Sequence, residues 1–191
     1  MDSSEIGSVA NCMDWGKHRR RKADAKLHMR LDLQHFLPAF AIVEEASHHD
    51  NSRARELCAG LKDGEIALLD KAYVHFDHLF DLAQRGVFWV TRAKDNFTFK
   101  IHRKLDADKS KGILRDDIIE LKGSKSKKAY PIYMRRVLAE VLINGKMVKM
   151  AFLTNNLDWA PSSVADLYQA RWAIEVFFKE IKQTLKLAGF I

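Results

Sequence analysis

With 191 residues, the chain is long enough to bury a full core in one domain carrying an insertion. A hydrophobic fraction of 47%, a charged fraction of 30% and a net charge of +7 describe an ordinary globular protein suited to a phosphate-rich partner. The longest apolar runs fall short of the roughly 18 residues of a membrane span, the polar start Met1-Asp2-Ser3-Ser4-Glu5 is unlike a secretory signal, and Cys12 and Cys58 have no metal-type spacing, so a reduced cytoplasmic setting is expected.

The first readable element is Lys26 to Leu33, where Leu27, Met29, Leu31 and Leu33 alternate with polar residues as in a half-buried strand. Pro38 to Val43 reads as its partner. Asp50 or Asn51 is placed to cap a helix running through Leu61, ended by Asp63-Gly64. The short apolar run Ile66-Ala67-Leu68-Leu69, closed by Asp70, predicts a central buried strand. His75 to Gln84 shows helical spacing of Phe76, Leu79, Phe80 and Ala83, with Gly86 as the stop. Val87 to Thr91 is the next strand. This succession predicts an α/β sheet with helices packed on it.

Beyond Lys94 the chain becomes more basic, with fourteen Lys or Arg against six Asp or Glu between Lys100 and Lys149. Ile118, Ile119 and Leu121, then Tyr130 to Tyr133, suggest short strands. Gly123 to Lys128 reads as a basic loop. Val137 to Ile143 and Lys146 to Leu153 flank Asn144-Gly145, a two-residue hairpin signal. Residues 96–150 are therefore expected to form a β-rich basic insertion that projects from the core, its basic face serving either for DNA contact or simply as a solvated surface. A long helix is predicted from Ser163 to Leu187, opened by a capping box of Ser163 and Asp166.

At about 100° per residue, Tyr168, Arg171, Glu175 and Lys182 share an arc of about 60° on that helix. They span roughly 21 Å at about 1.5 Å per residue. Leu167, Ala170, Ile174, Phe177, Phe178, Ile181 and Leu185 fill the neighbouring apolar arc. Geometry alone favours a solvated face laced by charge pairs over a site.

The identities favour a site. Tyr168-x2-Arg171-x3-Glu175-x6-Lys182 reproduces the Y-R-E-K signature of the insertion-sequence-four family of DDE transposases. Phe152 to Asn156, Arg171-Trp172, Phe177-Phe178 and Lys182-Gln183-x-Leu185 resemble the same family. Upstream, Asp2-Ser3-Ser4 is similar to its D-S-T, Lys26-Leu27-His28 to its K-L-H strand, Asp70-Lys71-Ala72-Tyr73 to its D-R-G-Y, and Phe88 to Arg92 to its F-V-T-R.

The resemblance implies a ribonuclease-H-like mixed sheet with flanking helices. Residues 1–95 and 151–191 would form the core, with the insertion at 96–150 between them. It further implies catalytic, metal-binding carboxylates at Asp2, Asp70 and Glu175, and DNA contacts from Tyr168, Arg171 and Lys182. Two Mg²⁺ ions, replaceable by Mn²⁺, would be held by these hard oxygen donors. The expected partners are double-stranded DNA at transposon ends and a second copy in a synaptic homodimer, in the bacterial cytoplasm and away from membranes. Only Met1 precedes Asp2 and the chain stops nine residues after Lys182, so a catalytic-core fragment is expected. The alternative is an inactive DNA-binding remnant that interferes with a full-length transposase.

Asp14 is a rival first carboxylate but lacks the D-S-S context, His48-His49-Asp50 and His75-x-Asp77-His78 read as surface or capping residues rather than metal sites, and the basic loop Lys17 to Lys22 fits phosphate contact and a solvated surface equally.

Overall fold

The computed structural model describes residues 2–6, 25–45, 53–94, 98–143 and 145–184, with the backbone alone at 2–6, 25–26, 44–45, 181–182 and 184. Asp14, His48-His49-Asp50, Asn51 and the basic run Lys17 to Lys22 lie outside them. The chain divides into two compact units, residues 1–59 with 172–191, and residues 60–171.

In the first unit, β1 (Asp2–Ile6), β2 (Ala25–Asp32) and β3 (Leu37–Glu45) form an antiparallel sheet in that order. A short helix, α1 (Ala54–Cys58), lies against β2 and β3, and the Arg30 side chain donates to the Leu57 carbonyl at 2.9 Å. The helix expected to reach Leu61 ends at Cys58, because Arg53 to Cys58 is the stretch that places Ala54, Leu57 and Cys58 in the interior. The alternation in β2 has its expected purpose on one face, although His28 on the opposite row is also fully buried, so the strand is not simply half-buried. Met29 is buried and Leu27 and Leu31 half-buried against Ile174, Phe178 and Phe177 of α5 (Trp172–Thr184). Leu33, expected on the same row, falls in the turn and is exposed, because the register shifts at Arg30/Leu31.

The second unit is built on one six-stranded sheet. β4 (Ile66–Leu69) runs parallel to β5 (Phe88–Arg92), and α2 (Phe76–Gln84) makes the crossover that a parallel pair requires. Gly86, at φ +71°, turns the chain from α2 back into β5. The remaining strands are antiparallel: β6 (Phe99–Leu105), β7 (Ile113–Leu121), β8 (Met134–Ile143) and β9 (Lys146–Thr154). The order is β4-β5-β9-β8-β7-β6, so β9 pairs directly with β5 and the basic strands extend the same sheet. The β8–β9 hairpin closes between Ile143 and Lys146, as the Asn144-Gly145 dipeptide predicts, with Gly145 at φ +76°.

Four local expectations are corrected. β4, expected as a central buried strand, is the edge strand of the described six-stranded sheet, with Ile66 exposed and only Ala67 and Leu69 buried. The basic segment after Gly123 is a helix, α3 (Ser124–Ala129), which packs on α2 and β7, while Lys127 donates to Glu120 at 3.0 Å. Tyr130 to Tyr133 is not a strand. The Tyr130 ring is buried edge-on against Phe80 and Trp89, and that tertiary anchor bends the chain. The single long helix is two, α4 (Pro161–Ala170) and α5, separated at Arg171. Its start is Ala160 followed by Pro161, without a side-chain cap, so the Ser163–Asp166 capping box does not form.

The core of the larger unit holds Trp89, Tyr73, Tyr130 and Phe152, all fully buried, with Leu69, Leu79 and Leu82 around them. At about 25 cal/mol per Å² of apolar area, each such aromatic ring contributes several kcal/mol relative to exposure.

Candidate active site

The wholly apolar β4 delivers Asp70 to its carboxyl end, where the chain leaves the sheet in an extended conformation. The Asp70 carboxylate accepts from the Ala72 amide at 2.9 Å and caps the short 3-10 turn Lys71–Tyr73. Tyr73, the end of that turn, is buried in the core. One oxygen of Asp70 is thus oriented by the backbone. The other lies 3.7 Å from a guanidinium nitrogen of Arg171.

Arg171 follows α4 directly and is only 6% exposed. Its guanidinium sits 5.3 Å above the Tyr168 ring, in cation–π range. The Tyr168 ring packs in turn on Phe152 of β9, at 5.0 Å between centroids. Burial pushes the Tyr168 phenol above its usual range; the neighbouring Arg171 pulls it down and Asp70 pushes it up. The result is a line of contacts from the strand interior through Phe152, Tyr168 and Arg171 to the carboxylate of Asp70. Lys94 also reaches this end of the sheet, donating to the Val74 carbonyl at 3.0 Å.

The loop before α4 is tied down by side chains. Asn155 accepts from the Trp89 amide at 2.9 Å and donates to the Val87 carbonyl at 3.0 Å, standing in for a strand partner of β5. Asn156 accepts from the amides of Asp158 and Trp159, both at 2.9 Å. Sequence reading picked out both asparagines only by resemblance; the structure supplies their work. It missed Asp116 and Arg135 altogether. The one signal available was a pair of acidic residues, Asp116 and Asp117, set among apolar positions of a strand.

In the smaller unit, Asp2 opens β1 and stands opposite Met29 of β2. Met29 packs on Ile174, the residue before Glu175 on α5, and on Phe178 one turn further along. The strand carrying Asp2 and the helix carrying Glu175 are therefore held together through Met29. Glu175 is exposed in the first turn of α5, and Lys182 lies seven residues further along the helix. Asp70, Tyr168 and Arg171 belong to the larger unit, and Asp2, Glu175 and Lys182 to the smaller.

His75 and Asp77 form a hydrogen-bonded exposed pair, and His78 is buried. Among the described residues, no three His, Cys, Asp or Glu side chains cluster as a metal site. The Asp70 carboxylate suits a hard divalent cation in donor chemistry: two oxygens, one oriented by an amide, at a partly exposed strand end.

The model of the transposase DDE domain matches residues 2–188. This chain belongs to that transposase family. Among its relatives, a putative transposase of Sinorhizobium fredii is 28% identical, covering 100% of this chain and 53% of the relative. A probable transposase for insertion sequence element IS5377 of Geobacillus stearothermophilus is 26% identical over 98% of this chain and 48% of its own length. The transposase InsG for insertion sequence element IS4 of Escherichia coli is 27% identical, over 84% and 36%. The chain thus spans about half the length of the two relatives that match it from end to end. As a DDE transposase domain it has the mixed α/β architecture expected of a ribonuclease-H-like core, and no described helix is long and apolar enough to cross a membrane.

Proposed function

We propose that this chain is the catalytic core of an insertion-sequence transposase that hydrolyses and rejoins DNA strands at transposon ends, with Asp2, Asp70 and Glu175 as its carboxylate triad. The observation that carries the reading is the pairing of Asp70 with Arg171, a member of the four-residue signature, in a chain of the DDE family. In this reading residues 1–95 and 151–191 are the core and 96–150 an insertion whose strands continue the core sheet.

The three carboxylates would hold two Mg²⁺ ions, or Mn²⁺ in their place. Bound there, such ions polarise the phosphodiester and lower the pKa of the attacking water or 3′-hydroxyl. The chain's own residues do the rest. Asp70 is presented by β4 and oriented by the Ala72 amide. Arg171 neutralises Asp70 in the metal-free protein and is released to a DNA phosphate as the substrate arrives. Tyr168 braces the guanidinium from beneath through its ring face. Lys182 supplies a point charge to a second phosphate, a task for which lysine geometry is sufficient. A synaptic homodimer on double-stranded ends, in the bacterial cytoplasm, is the working assembly.

The test is cleavage of DNA from the ends of the element that encodes the chain, in Mg²⁺ or Mn²⁺, by this protein and by Glu175→Gln. Metal-dependent nicking by the parent and a loss of about a thousandfold or more in the variant is expected, as for other groups acting directly on the transition state. DNA binding with no cleavage by either protein would replace this reading with that of a non-catalytic remnant.

A further inference from the structure

α4 carries Tyr168 and leads into Arg171, yet nothing at its start is a conventional cap: Ala160 has no side-chain acceptor and Ser163 lies inside the first turn. The start is fixed from the sheet instead. Arg135, on β8, donates from Nε to Asp116 of β7 at 2.8 Å and from Nη2 to the other carboxylate oxygen at 2.6 Å. The two side chains are 5% and 1% exposed, so this is a buried, forked ion pair. Its remaining nitrogen, Nη1, donates to the carbonyls of Leu157 (3.2 Å) and Trp159, in the loop between β9 and α4. The Trp159 ring packs on Phe88 at 5.2 Å, and Asn156 holds the amides of the same turn.

A buried ion pair adds little stability over well-packed apolar residues of the same volume. What apolar residues cannot do is hold two backbone carbonyls while their charge is balanced from behind. Only a guanidinium offers enough donors in one plane for both tasks; a lysine would have to choose. From Ala160 the helix rises about 12 Å to Tyr168 and about 16 Å to Arg171, at about 1.5 Å per residue. A shift of the loop is therefore passed along a rigid rod to the guanidinium beside Asp70.

We propose that Arg135, anchored by Asp116, is a positioning residue that clamps the loop before α4 and thereby sets where Arg171 meets Asp70. Its value for catalysis rests on the functional reading above; the clamp itself does not.

The experiment uses two variants of the whole chain. Arg135→Lys keeps a charge beside Asp116 and gives up the carbonyls. Asp116→Leu with Arg135→Met removes the pair but keeps its volume. Both are expected to melt within about 4 °C of the parent, a difference that corresponds to a small change in stability for a chain of this size. Amide hydrogen exchange across residues 157–171 should speed up by about tenfold or more, as expected when bonds to a charged donor are lost. Amides of β8 and β9 should keep their protection. The Arg171 Nε–H resonance, assigned by its disappearance in Arg171→Lys, should move in both variants. A pair that merely stabilised the sheet would change melting without moving that resonance. Unchanged exchange at 157–171 and an unmoved Arg171 signal in a folded Arg135→Lys protein would overturn the proposal, whatever the double variant does. In Mn²⁺-dependent nicking, the same variants should lower kcat by about tenfold or more with KM for DNA unchanged, the mark of misplacement rather than lost binding. A parent chain that does not nick DNA refutes the functional reading and leaves the exchange result to decide the clamp.

Discussion

In residues 60–171 the apolar side chains close on one another: Trp89, Tyr73, Tyr130 and Phe152 are fully buried, and even the charged pair Asp116–Arg135 is sealed inside with its donors satisfied. In residues 1–59 with 172–191 the described interior is smaller, with Met29, Ile174 and Phe178 in one cluster and His28, Ala54, Leu57 and Cys58 also buried, while Leu37, Phe40 and Val43 of β3 stay exposed. The difference teaches where rigidity comes from in this protein. Six strands share one sheet, with long-range pairings and aromatic anchors in the first region. Three strands and two helices share fewer and smaller buried side chains in the second. The candidate residues are divided accordingly, with Asp70, Tyr168 and Arg171 on the well-anchored side.

That contrast can be broken most directly by cutting into each core. Trp89→Ala should cost about 3–5 kcal/mol by chemical denaturation, since a ring buried on all sides leaves a cavity that strands cannot collapse. Met29→Ala should cost only about 2 kcal/mol, near the lower end for a buried methionine, because the surrounding cluster is small. Equal costs would mean that the smaller region is as tightly packed as the larger.

Alkali should sharpen the same contrast. Burial raises the phenol pKa of both Tyr130 and Tyr168, so their folded values lie above the unfolded value of about 10. The stability they contribute is fully present below about pH 10 and is lost as pH rises through the folded values, by about 1.4 kcal/mol for each tenfold difference in acidity between the folded and unfolded phenol. Exchange-detected unfolding above pH 10 should start in residues 60–171. Tyr130→Phe keeps the ring contacts with Phe80 and Trp89 and should blunt the effect while leaving stability near pH 7 almost unchanged. An unaltered alkaline profile in that variant would show that Tyr130 does not titrate during unfolding.

The smallest expected effect concerns DNA. A phosphate contact contributes about 0.9 to the log–log salt slope of binding. Lys182→Gln should flatten the slope by about one unit. Arg171→Gln should flatten it by less in metal-free protein, because Asp70 already offsets that charge. Equal changes would show that DNA takes the guanidinium completely away from Asp70. No change from either substitution would remove both from the proposed DNA contacts.

Much of this was legible because the signals are local. The period of two in Lys26 to Leu33 needs only a sheet with one covered face, and Asn144-Gly145 closes a hairpin through its own backbone preferences. The run Ile66 to Leu69 ending at Asp70 announces a strand that emerges from the core with a carboxylate at its tip. The order of such elements, with the four-residue signature near the end, sufficed for the family and its α/β class. The signature also pointed to Tyr168 and Arg171, which the structure does bring against each other and, through Arg171, against Asp70.

What only the tertiary structure decided are the features whose cause lies far along the chain. Gly123 to Lys128 has no apolar period, yet it is helical because α2 and β7 receive it. Tyr130 to Tyr133 has strand-like residues, yet the Tyr130 ring is pulled into the core instead. The long amphipathic run breaks at Arg171, where the side chain turns to a carboxylate 101 residues earlier in the sequence. The start of α4 is set by Arg135 rather than by the nearby Ser163, because a buried guanidinium balanced by Asp116 outcompetes a solvent-exposed hydroxyl for control of that backbone. Periodicity records which face of an element is covered. Which partner covers it, and which charge answers which, is set only when distant segments are packed and their polar groups must be satisfied together.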